Sequence, residues 1–207
     1  MPSRREFVQS GMALAALAAC TLPAEGALRA LEGRRAERRR LFKVLFDRHT
    51  AEGRSFGAEA FGLGLPACAV DSDVGSVWMH EIEPQWRRAP EAIAGLTRGA
   101  PLFCLELLAR DYGMGLVHRV RHVRDADGNV RHTSTLNRSL STGWEATLAA
   151  AGRSWAVAAA GLAISCEASA LRDGDLVDLS LQSESGETAL YSWSMAPVAG
   201  IRPLVGN

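Results

Sequence analysis

Apolar and polar residues alternate along the chain in runs that predict both strands and helices. Short apolar runs over residues 41–46 and 67–70, each followed by an aspartate, are typical of buried strands. Between them, apolar residues recur at helical spacing over 50–63, and Gly62 and Gly64 supply a stop. The order strand, helix, strand predicts a parallel βαβ unit at the start of the folded domain.

The rest of the chain predicts helices and antiparallel hairpins. Pro101 opens an apolar helix over 102–109. An Ala-rich stretch over 144–164 predicts a further helix, which we do not expect to cross a membrane because Glu145 and Arg153 interrupt it. The remaining segments are an aromatic, irregular stretch over 74–94, a hairpin with strands 116–123 and 130–136, and a hairpin with strands 176–182 and 187–195.

Together these elements predict an α/β fold. We expect a single domain over 41–207, whose mixed β-sheet starts as a parallel βαβ unit, continues as antiparallel hairpins and carries helices packed on it. A chain of 207 residues with 47% hydrophobic and 22% charged residues has room for one ordinary globular domain. Lysine plus arginine equals aspartate plus glutamate at 23 each, so we expect no nucleic-acid partner.

The N-terminus has charged, apolar and small-residue regions in the order of a secretory signal. Its apolar run over 11–19 is far shorter than the roughly 20 residues that a membrane-spanning helix needs. The segment Ser3-Arg4-Arg5-Glu6-Phe7 resembles the twin-arginine (Tat) export motif, which it matches at Arg4, Arg5 and Phe7. The resemblance implies a signal peptide over 1–19, recognition by the Tat export machinery, and passage into the periplasm in a folded state.

The segment Leu17-Ala18-Ala19-Cys20 is similar to a bacterial lipobox, in which a lipid is attached to the cysteine and the chain is cleaved before it. The resemblance implies that Cys20 is the first mature residue and that its acyl chains hold the protein at a membrane surface. The alternative is cleavage after Ala24-Glu25-Gly26, which would leave a soluble periplasmic protein. Residues 20–40 predict a tether or an exposed basic segment.

The first candidate site would bind a small anionic ligand. Residues 94–101 are interpreted as a loop that leads into a helix N-terminus, where free N–H groups and the helix dipole favour an anion. Asp71 and Asp73 follow the second strand and are expected at the same cleft. An ordinary helix cap is the alternative, since the spacing matches no nucleotide-binding motif. The loop contributes a hydroxyl, a guanidinium and a glycine, at Thr97, Arg98 and Gly99.

The second candidate site lies between two tryptophans. Trp78 and Trp86 flank His80, Glu81 and Glu83 in the aromatic stretch. A loop rich in aromatic residues often faces a ligand or a partner, and a histidine beside a carboxylate has the chemistry for acid–base catalysis. The alternative is that the tryptophans cover the core. The segment does not match the H-E-x-x-H motif, so a zinc peptidase has no support.

The third candidate is a weak metal site in the first hairpin, where His118 and His122 share a strand face. A three-residue turn would place His132 opposite His122 and bring imidazoles within metal-binding reach. A two-residue turn at Asp127-Gly128 would instead pair His132 with Val123. Because Asp-Gly favours the two-residue turn, we predict no metal site.

Charge and cysteine positions bear on possible partners. The hairpin over 116–138 carries five arginines against two aspartates, and residues 167–187 carry six acidic residues against one arginine. We expect these segments to pair within the fold; the alternative is that the basic hairpin docks an acidic partner. Cys68, Cys104 and Cys166 lie in apolar surroundings without a C-x-x-C spacing, which predicts small core residues and gives no support to thioredoxin-type chemistry. One disulfide with one buried thiol is the alternative in an oxidising periplasm.

These observations favour an exported periplasmic protein, anchored by lipid, that binds a small anionic ligand or an exported enzyme partner and catalyses no reaction. A first alternative is a small periplasmic enzyme acting on an anionic metabolite, with His80 as acid or base. A second is a metal-carrying or redox accessory subunit, which the Tat-type signal alone favours. The sequence carries no signature that names a cofactor.

Overall fold

The structure, a computed structural model, describes residues 41–134, 138–165 and 189–198. Several predicted features lie outside the described residues: the signal peptide and tether, the strand over 176–182, the acidic segment over 167–187, Cys20 and Cys166. The elements are β1 (Leu41–Asp47), α1 (Ala51–Gly62), β2 (Ala67–Val70), α2 (Gly75–Val77), a π-helical turn (Trp78–Ile82), α3 (Glu83–Arg88), β3 (Ala92–Arg98), α4 (Gly99–Arg110), β4 (Met114–Arg124), β5 (Val130–Ser134), α5 (Arg138–Ala151), a 3₁₀ turn (Gly152–Ser154), α6 (Trp155–Ser165) and β6 (Ala189–Pro197).

The strands form one mixed sheet in the order β2-β1-β3-β6-β4-β5. β1 pairs in parallel with both β2 and β3. β6 lies antiparallel between β3 and β4, and β5 is antiparallel to β4 at the edge. The predicted α/β fold, with a parallel start, antiparallel strands after it and helices packed on the sheet, is confirmed.

Helix α1 closes the first βαβ unit, as its spacing predicts. It begins after Thr50, whose Oγ1 accepts a hydrogen bond from the Gly53 backbone N at 3.0 Å and so satisfies one of the free N–H groups of the first turn. Phe56 and Ala60, one turn apart, are fully buried. This stripe holds α1 against the sheet.

Helices cover both faces of the sheet. The face covered by α1, α5 and α6, here called the α6 face, buries Phe56, Leu148 and Trp155. The opposite face, here called the α4 face, is covered by α4 and by the segment from α2 to α3, and it buries Trp86 and Leu105. A sheet covered on both sides places each strand's alternate side chains in two separate cores.

Strand β3 corrects the expectation of a loop over 94–101. Residues 93–97 are buried, and the strand pairs with β1 on one side and β6 on the other. A side chain at Gly95 would meet both the Leu45 carbonyl oxygen and the Trp193 ring at 2.6 Å, so only glycine fits there. A central strand buried on both faces lacks polar alternation, and its small residues resemble those of a loop.

The aromatic stretch is helical rather than irregular. α2, the π-helical turn and α3 follow one another over 75–88, and residues 92–94 belong to β3. Helices this short are not stable alone. Here Trp78 packs edge to face with Trp86 and Tyr112, whose own rings are tilted to each other, with centroids 5.6 to 5.9 Å apart, and these contacts fix the segment to the α4 face.

The Ala-rich stretch forms α5 and α6 with a 3₁₀ turn between them, instead of one helix. Gly152 adopts a φ of +51° at this turn. Among the described residues, Gly143–Ser165 is the one helical stretch that is long and apolar enough to cross a membrane, with a mean hydropathy of 1.3. In the structure its Trp155, Ala159 and Ala163 are buried on the α6 face of the sheet.

The turn between β4 and β5 corrects the expectation of a two-residue turn. The Asp125 backbone N donates to the Asn129 carbonyl at 2.9 Å, so three residues lie between them. Gly128, at a φ of +85°, takes the left-handed position that such a turn needs. The register that follows pairs His132 with His122 and not with Val123.

Strand β4 contains a bulge that changes which residues face each core. Leu116 pairs with Met195 and His118 with Ser194, so Val117 is an extra residue in β4. Leu116 consequently lies in the core of the α4 face, whereas His118 contacts Trp144 of α5 on the α6 face. The bulge therefore puts Leu116 and His118 on opposite faces, while His118 and His122, four residues apart in the regular part of β4, share the α6 face.

Candidate functional site

The parallel half of the sheet has a topological switch point. β1 and β3 are neighbours, but the chain leaves β1 for α1 on the α6 face and leaves β3 for α4 on the α4 face. In open α/β sheets, ligands bind in the crevice outside the carboxyl ends of two such strands. In this chain the N-termini of α1 and α4, each 12 residues long, begin at that crevice.

A buried carboxylate lies at the carboxyl end of β1, beside this switch point. Asp47 ends β1 and is 4% exposed. Its Oδ2 pairs with Arg98 Nε at 2.9 Å, and its Oδ1 accepts a hydrogen bond from the His49 backbone N at 2.7 Å. Because Nε is the contacting atom and 46% of the Arg98 side chain is exposed, Asp47 fixes the arginine while leaving much of it open to solvent.

A second cluster joins the ends of β1 and β2. His49 Nε2 lies 2.7 Å from Asp71 Oδ1, and Arg48 Nε lies 3.1 Å from the same oxygen. About half of each of these three side chains is exposed. The structure therefore brings Asp71 and Arg98, both proposed from the sequence, to one polar edge through residues 47–49, and adds Asp47 and His49 to them.

The other residues of the first candidate site have local roles. Thr97 is fully buried and accepts a hydrogen bond from Trp193 Nε1 at 3.0 Å, so its hydroxyl faces the α4 side of the sheet. Asp73 Oδ1 accepts from the Gly75 backbone N at 2.7 Å, at the start of α2. Gly99 is the first residue of α4. These contacts tie Thr97 and Asp73 to the fold.

The antiparallel half carries a different polar group, under α5 and α6. Ser192 Oγ lies 2.9 Å from His122 Nε2 and 3.3 Å from His118 Nε2. His122 Nδ1 lies 2.8 Å from His132 Nδ1 across the β4–β5 pair. These four side chains, His118, Ser192, His122 and His132, form one hydrogen-bonded series, here called the imidazole chain.

Two tryptophans from the helices cover the imidazole chain. The Trp155 ring of α6 lies over His122 at 4.2 Å between centroids, and the Trp144 ring of α5 meets His118 at 4.6 Å. Burial lowers the pKa of His118 to about 3. Burial, and then the neighbouring His132 and His118, lower the pKa of His122 well below its ordinary value. Burial also lowers the pKa of His132, against the opposing effect of Glu145.

The imidazole chain has the geometry of hydrogen bonds rather than of a metal centre. The His122 and His132 ring centroids are 5.0 Å apart for a nitrogen contact of 2.8 Å, so the two nitrogens face each other instead of converging on a common point. No group of three or more His, Cys, Asp or Glu in the described part of the chain is arranged to hold a metal ion.

The series Ser192, His122, His132 has the distances that a nucleophile, its base and an orienting group require. Ser192, however, is fully buried in the middle of β6, and His122 is 2% exposed. A substrate cannot reach the hydroxyl in this conformation. The imidazole chain is therefore not a catalytic site in this conformation.

No family model, curated protein or solved structure matches this chain. The contacts of its own residues thus carry the functional argument.

The second candidate site is spread over several contacts. Trp78 and Trp86 are buried, and Trp86 Nε1 donates to the Glu91 carbonyl at 2.9 Å. His80 is exposed, with Nδ1 2.9 Å from the Ser76 carbonyl. The tryptophans thus stand in the core, and the histidine stands outside it.

The two carboxylates of that segment also have separate partners. Glu81 pairs with Lys43 of β1. Glu83 accepts hydrogen bonds from Arg87 at 2.7 Å and from the Tyr112 hydroxyl at 3.0 Å, and these bonds lower the pKa of its carboxyl group. The structure therefore gives His80, Glu81 and Glu83 different neighbours.

Two arginines of the basic hairpin have acidic partners within the described residues. Arg119 pairs with Glu106 of α4 at 3.5 Å, and both side chains are 4% exposed. Arg124 pairs with Glu52 in the first turn of α1. Cys68 is half-buried and Cys104 is exposed, and both are free thiols. The exposed position of Cys104 differs from the expected core position, because it lies on the outer side of α4.

Asp47 and His49 are not among the candidates predicted from the sequence, although their positions carry a signal. Asp47, Arg48 and His49 directly follow a predicted buried strand, as Asp71 does. In a parallel unit the carboxyl ends of both strands meet at one edge. That rule, applied to both strands, selects His49 as well as Asp71.

Proposed function

We propose that this chain is an exported, lipid-anchored periplasmic protein that holds a small anionic ligand at the switch-point crevice and catalyses no reaction. The observation that carries the proposal is the group of exposed cationic and imidazole side chains, Arg48, His49 and Arg98, at the meeting point of β1 and β3. Export is inferred from Arg4 and Arg5, and anchoring from Cys20.

Electrostatics at the crevice favour an anion of modest size. Two helix N-termini add partial positive charge there. Asp47 is buried and held by Arg98, so it orients the guanidinium more than it repels an incoming ligand. Asp71 is the exposed acid, and its bonds to Arg48 and His49 are those that a ligand carboxylate or phosphate would replace.

Titration calorimetry with inorganic phosphate and with succinate tests this proposal. Arg98→Ala should weaken binding of the anion that binds by about tenfold or more, as expected for loss of a charge-assisted hydrogen bond. Arg87→Ala is the matched control, because Arg87 is an exposed arginine paired with Glu83 in α3. Equal affinity in the wild type and Arg98→Ala, or an equal loss in Arg87→Ala, would reject the crevice as the binding site.

The contact between His49 and Asp71 supports a second function. A histidine held by a carboxylate at 2.7 Å on an open edge has the arrangement of a general acid or base, which makes an enzyme acting on an anionic metabolite the competing proposal. One variant distinguishes the binding-protein proposal from the enzyme proposal. His49→Gln abolishes turnover if the protein is that enzyme, whereas ligand affinity alone changes if it is a binding protein.

Export and anchoring need their own experiment. Intact mass spectrometry of the protein from the membrane and soluble fractions of its host should find a diacylated or triacylated chain that starts at Cys20 in the membrane fraction. Replacing Arg4 and Arg5 together by lysine should leave uncleaved precursor in the cytoplasm. A soluble chain that starts after residue 26 would remove the anchor from the proposal while retaining export.

A further inference from the structure

We propose that the imidazole chain is an acid-sensitive latch: α5 and α6 stay on the sheet while its three imidazoles are neutral, and they lift when the imidazoles take up protons. This inference is independent of the ligand proposed for the crevice. It rests on the hydrogen bonds within the imidazole chain and on the residues that cover these four side chains.

Proton counting shows why this contact excludes protonation of both rings. A 2.8 Å contact between two Nδ1 atoms holds one proton, donated by one ring and accepted by the other. If both His122 and His132 were protonated, two N–H groups and two positive charges would face each other in that contact. The ring–ring contact would then become repulsive, and it lies directly under Trp155.

His118 sets the buried end of the latch. Its ring is fully buried, its Nε2 faces Ser192, and its Nδ1 has no hydrogen-bond partner. Ser194, its partner across the strand pair, likewise has a buried Oγ without a hydrogen bond. A proton added to His118 Nδ1 would thus face Trp144 and a serine, and no carboxylate among its described contacts.

The described elements around the latch supply little compensating charge. β6 contributes only Ser192 and Ser194 to this site, and α6 contributes Trp155. On α5, Glu145 raises the pKa of His132, but its Oε1 already accepts a hydrogen bond from the Ser134 backbone N at 2.7 Å. Farther along β4, Arg124 is paired with Glu52 of α1. Within the described chain, the one carboxylate that acts on the latch is therefore Glu145, at its outer end.

The opening equilibrium should depend steeply on pH. An exposed imidazole has a pKa of about 6.5, whereas burial keeps the pKa of His118 near 3 and that of His122 well below its ordinary value. Consider a histidine whose pKa is about 6.5 in the open state and far lower in the closed state. Each such histidine raises the fraction of molecules in the open state about tenfold between pH 7.5 and pH 5.5. His118 and His122 together therefore predict an increase of roughly 100-fold.

Hydrogen exchange of the whole mature protein, followed by mass spectrometry at both pH values and corrected for intrinsic exchange rates, measures this opening. Peptides within 143–165 should gain exchange at pH 5.5, while peptides within 92–98 stay protected. Equal deprotection of both regions would mean that acid unfolds the entire domain, and would overturn the latch.

Single variants identify the responsible groups. His118→Gln should remove about tenfold of the pH effect on the 143–165 peptides. His132→Gln, at the half-buried end, should reduce the effect even if His118→Gln does not fold. His80→Gln is the matched control, because this histidine is exposed and lies outside both the latch and the crevice. A pH effect of undiminished size in both His118→Gln and His132→Gln, or one that disappears in the control, refutes the proposal.

Discussion

Replacing Gly95 by alanine tests the packing that holds β3 in the centre of the sheet. The new Cβ would lie 2.6 Å from the Leu45 carbonyl oxygen and 2.6 Å from the Trp193 ring. The carbonyl belongs to β1 and cannot rotate away. The indole cannot turn freely either, because its Nε1 donates to Thr97 at 3.0 Å.

The magnitude follows from two opposing effects. Overpacking a rigid core by one methyl group costs about 1–3 kcal/mol, and two simultaneous contacts place this site at the upper end, about 3 kcal/mol. Alanine also restricts the unfolded chain more than glycine, which returns roughly 0.5–1 kcal/mol. The net loss in the free energy of unfolding is therefore about 2 kcal/mol.

Urea denaturation followed by circular dichroism measures this loss. With a slope of about 2 kcal/mol per molar urea, the unfolding midpoint of Gly95→Ala should fall by about 1 M. Gly161→Ala in α6 is the matched control, since a Cβ there meets nothing within 4 Å and should stabilise the helix by roughly 0.5–1 kcal/mol. If the Gly95→Ala midpoint equals or exceeds that of Gly161→Ala, the close packing of β3 against Trp193 is not a real constraint.

Three further predictions concern stability. Glu106→Ala should cost about 3–5 kcal/mol in urea denaturation, because it removes one member of a buried ion pair with Arg119; a loss below 1 kcal/mol would contradict a buried ion pair. Thr50→Ala should cost about 1 kcal/mol in the same assay, through loss of the bond from Gly53 N, and an unchanged midpoint would argue against the cap. The free energy of unfolding should fall as the pH drops through about 6.5, because the lowered pKa of His118 means that the unfolded chain binds more protons, and the loss contributed by His118 should be complete near pH 3. A free energy of unfolding that does not change between pH 7 and pH 5 would contradict the burial of His118.

The sequence predicted elements well where their residue pattern is decisive. Phe56 and Ala60 at helical spacing identified α1, and apolar runs closed by aspartates identified β1 and β2. β3 was missed because Gly95 and Thr97 have roles that only the partner strand reveals, namely room for an indole and a hydrogen bond to it. A residue selected for its neighbour across a sheet leaves no periodic trace in its own segment.

The candidate residues divide in the same way. Asp71 and Arg98 could be predicted because strand ends and helix starts are visible in the sequence. The contact between His122 and His132 could not be, since one residue in the length of the β4–β5 turn decides which side chains meet. Trp78 and Trp86 are equally suited to a ligand site and to a core, and only tertiary packing with Tyr112 distinguishes the two.

Helix α1 connects the crevice and the latch physically. His49 and Thr50 precede its first turn at the crevice, while its Phe56 packs in the same core as Trp155 of α6. A ligand bound at the crevice would therefore contact one member of a packed pair of helices, and protons on the imidazole chain would act on the other. Linkage is reciprocal. If opening of the latch weakens ligand binding by some free energy, bound ligand raises the free energy of opening by the same amount. Measuring the exchange of 143–165 with and without saturating ligand thus gives the coupling between the two sites directly, and a value of zero means that α1 transmits nothing.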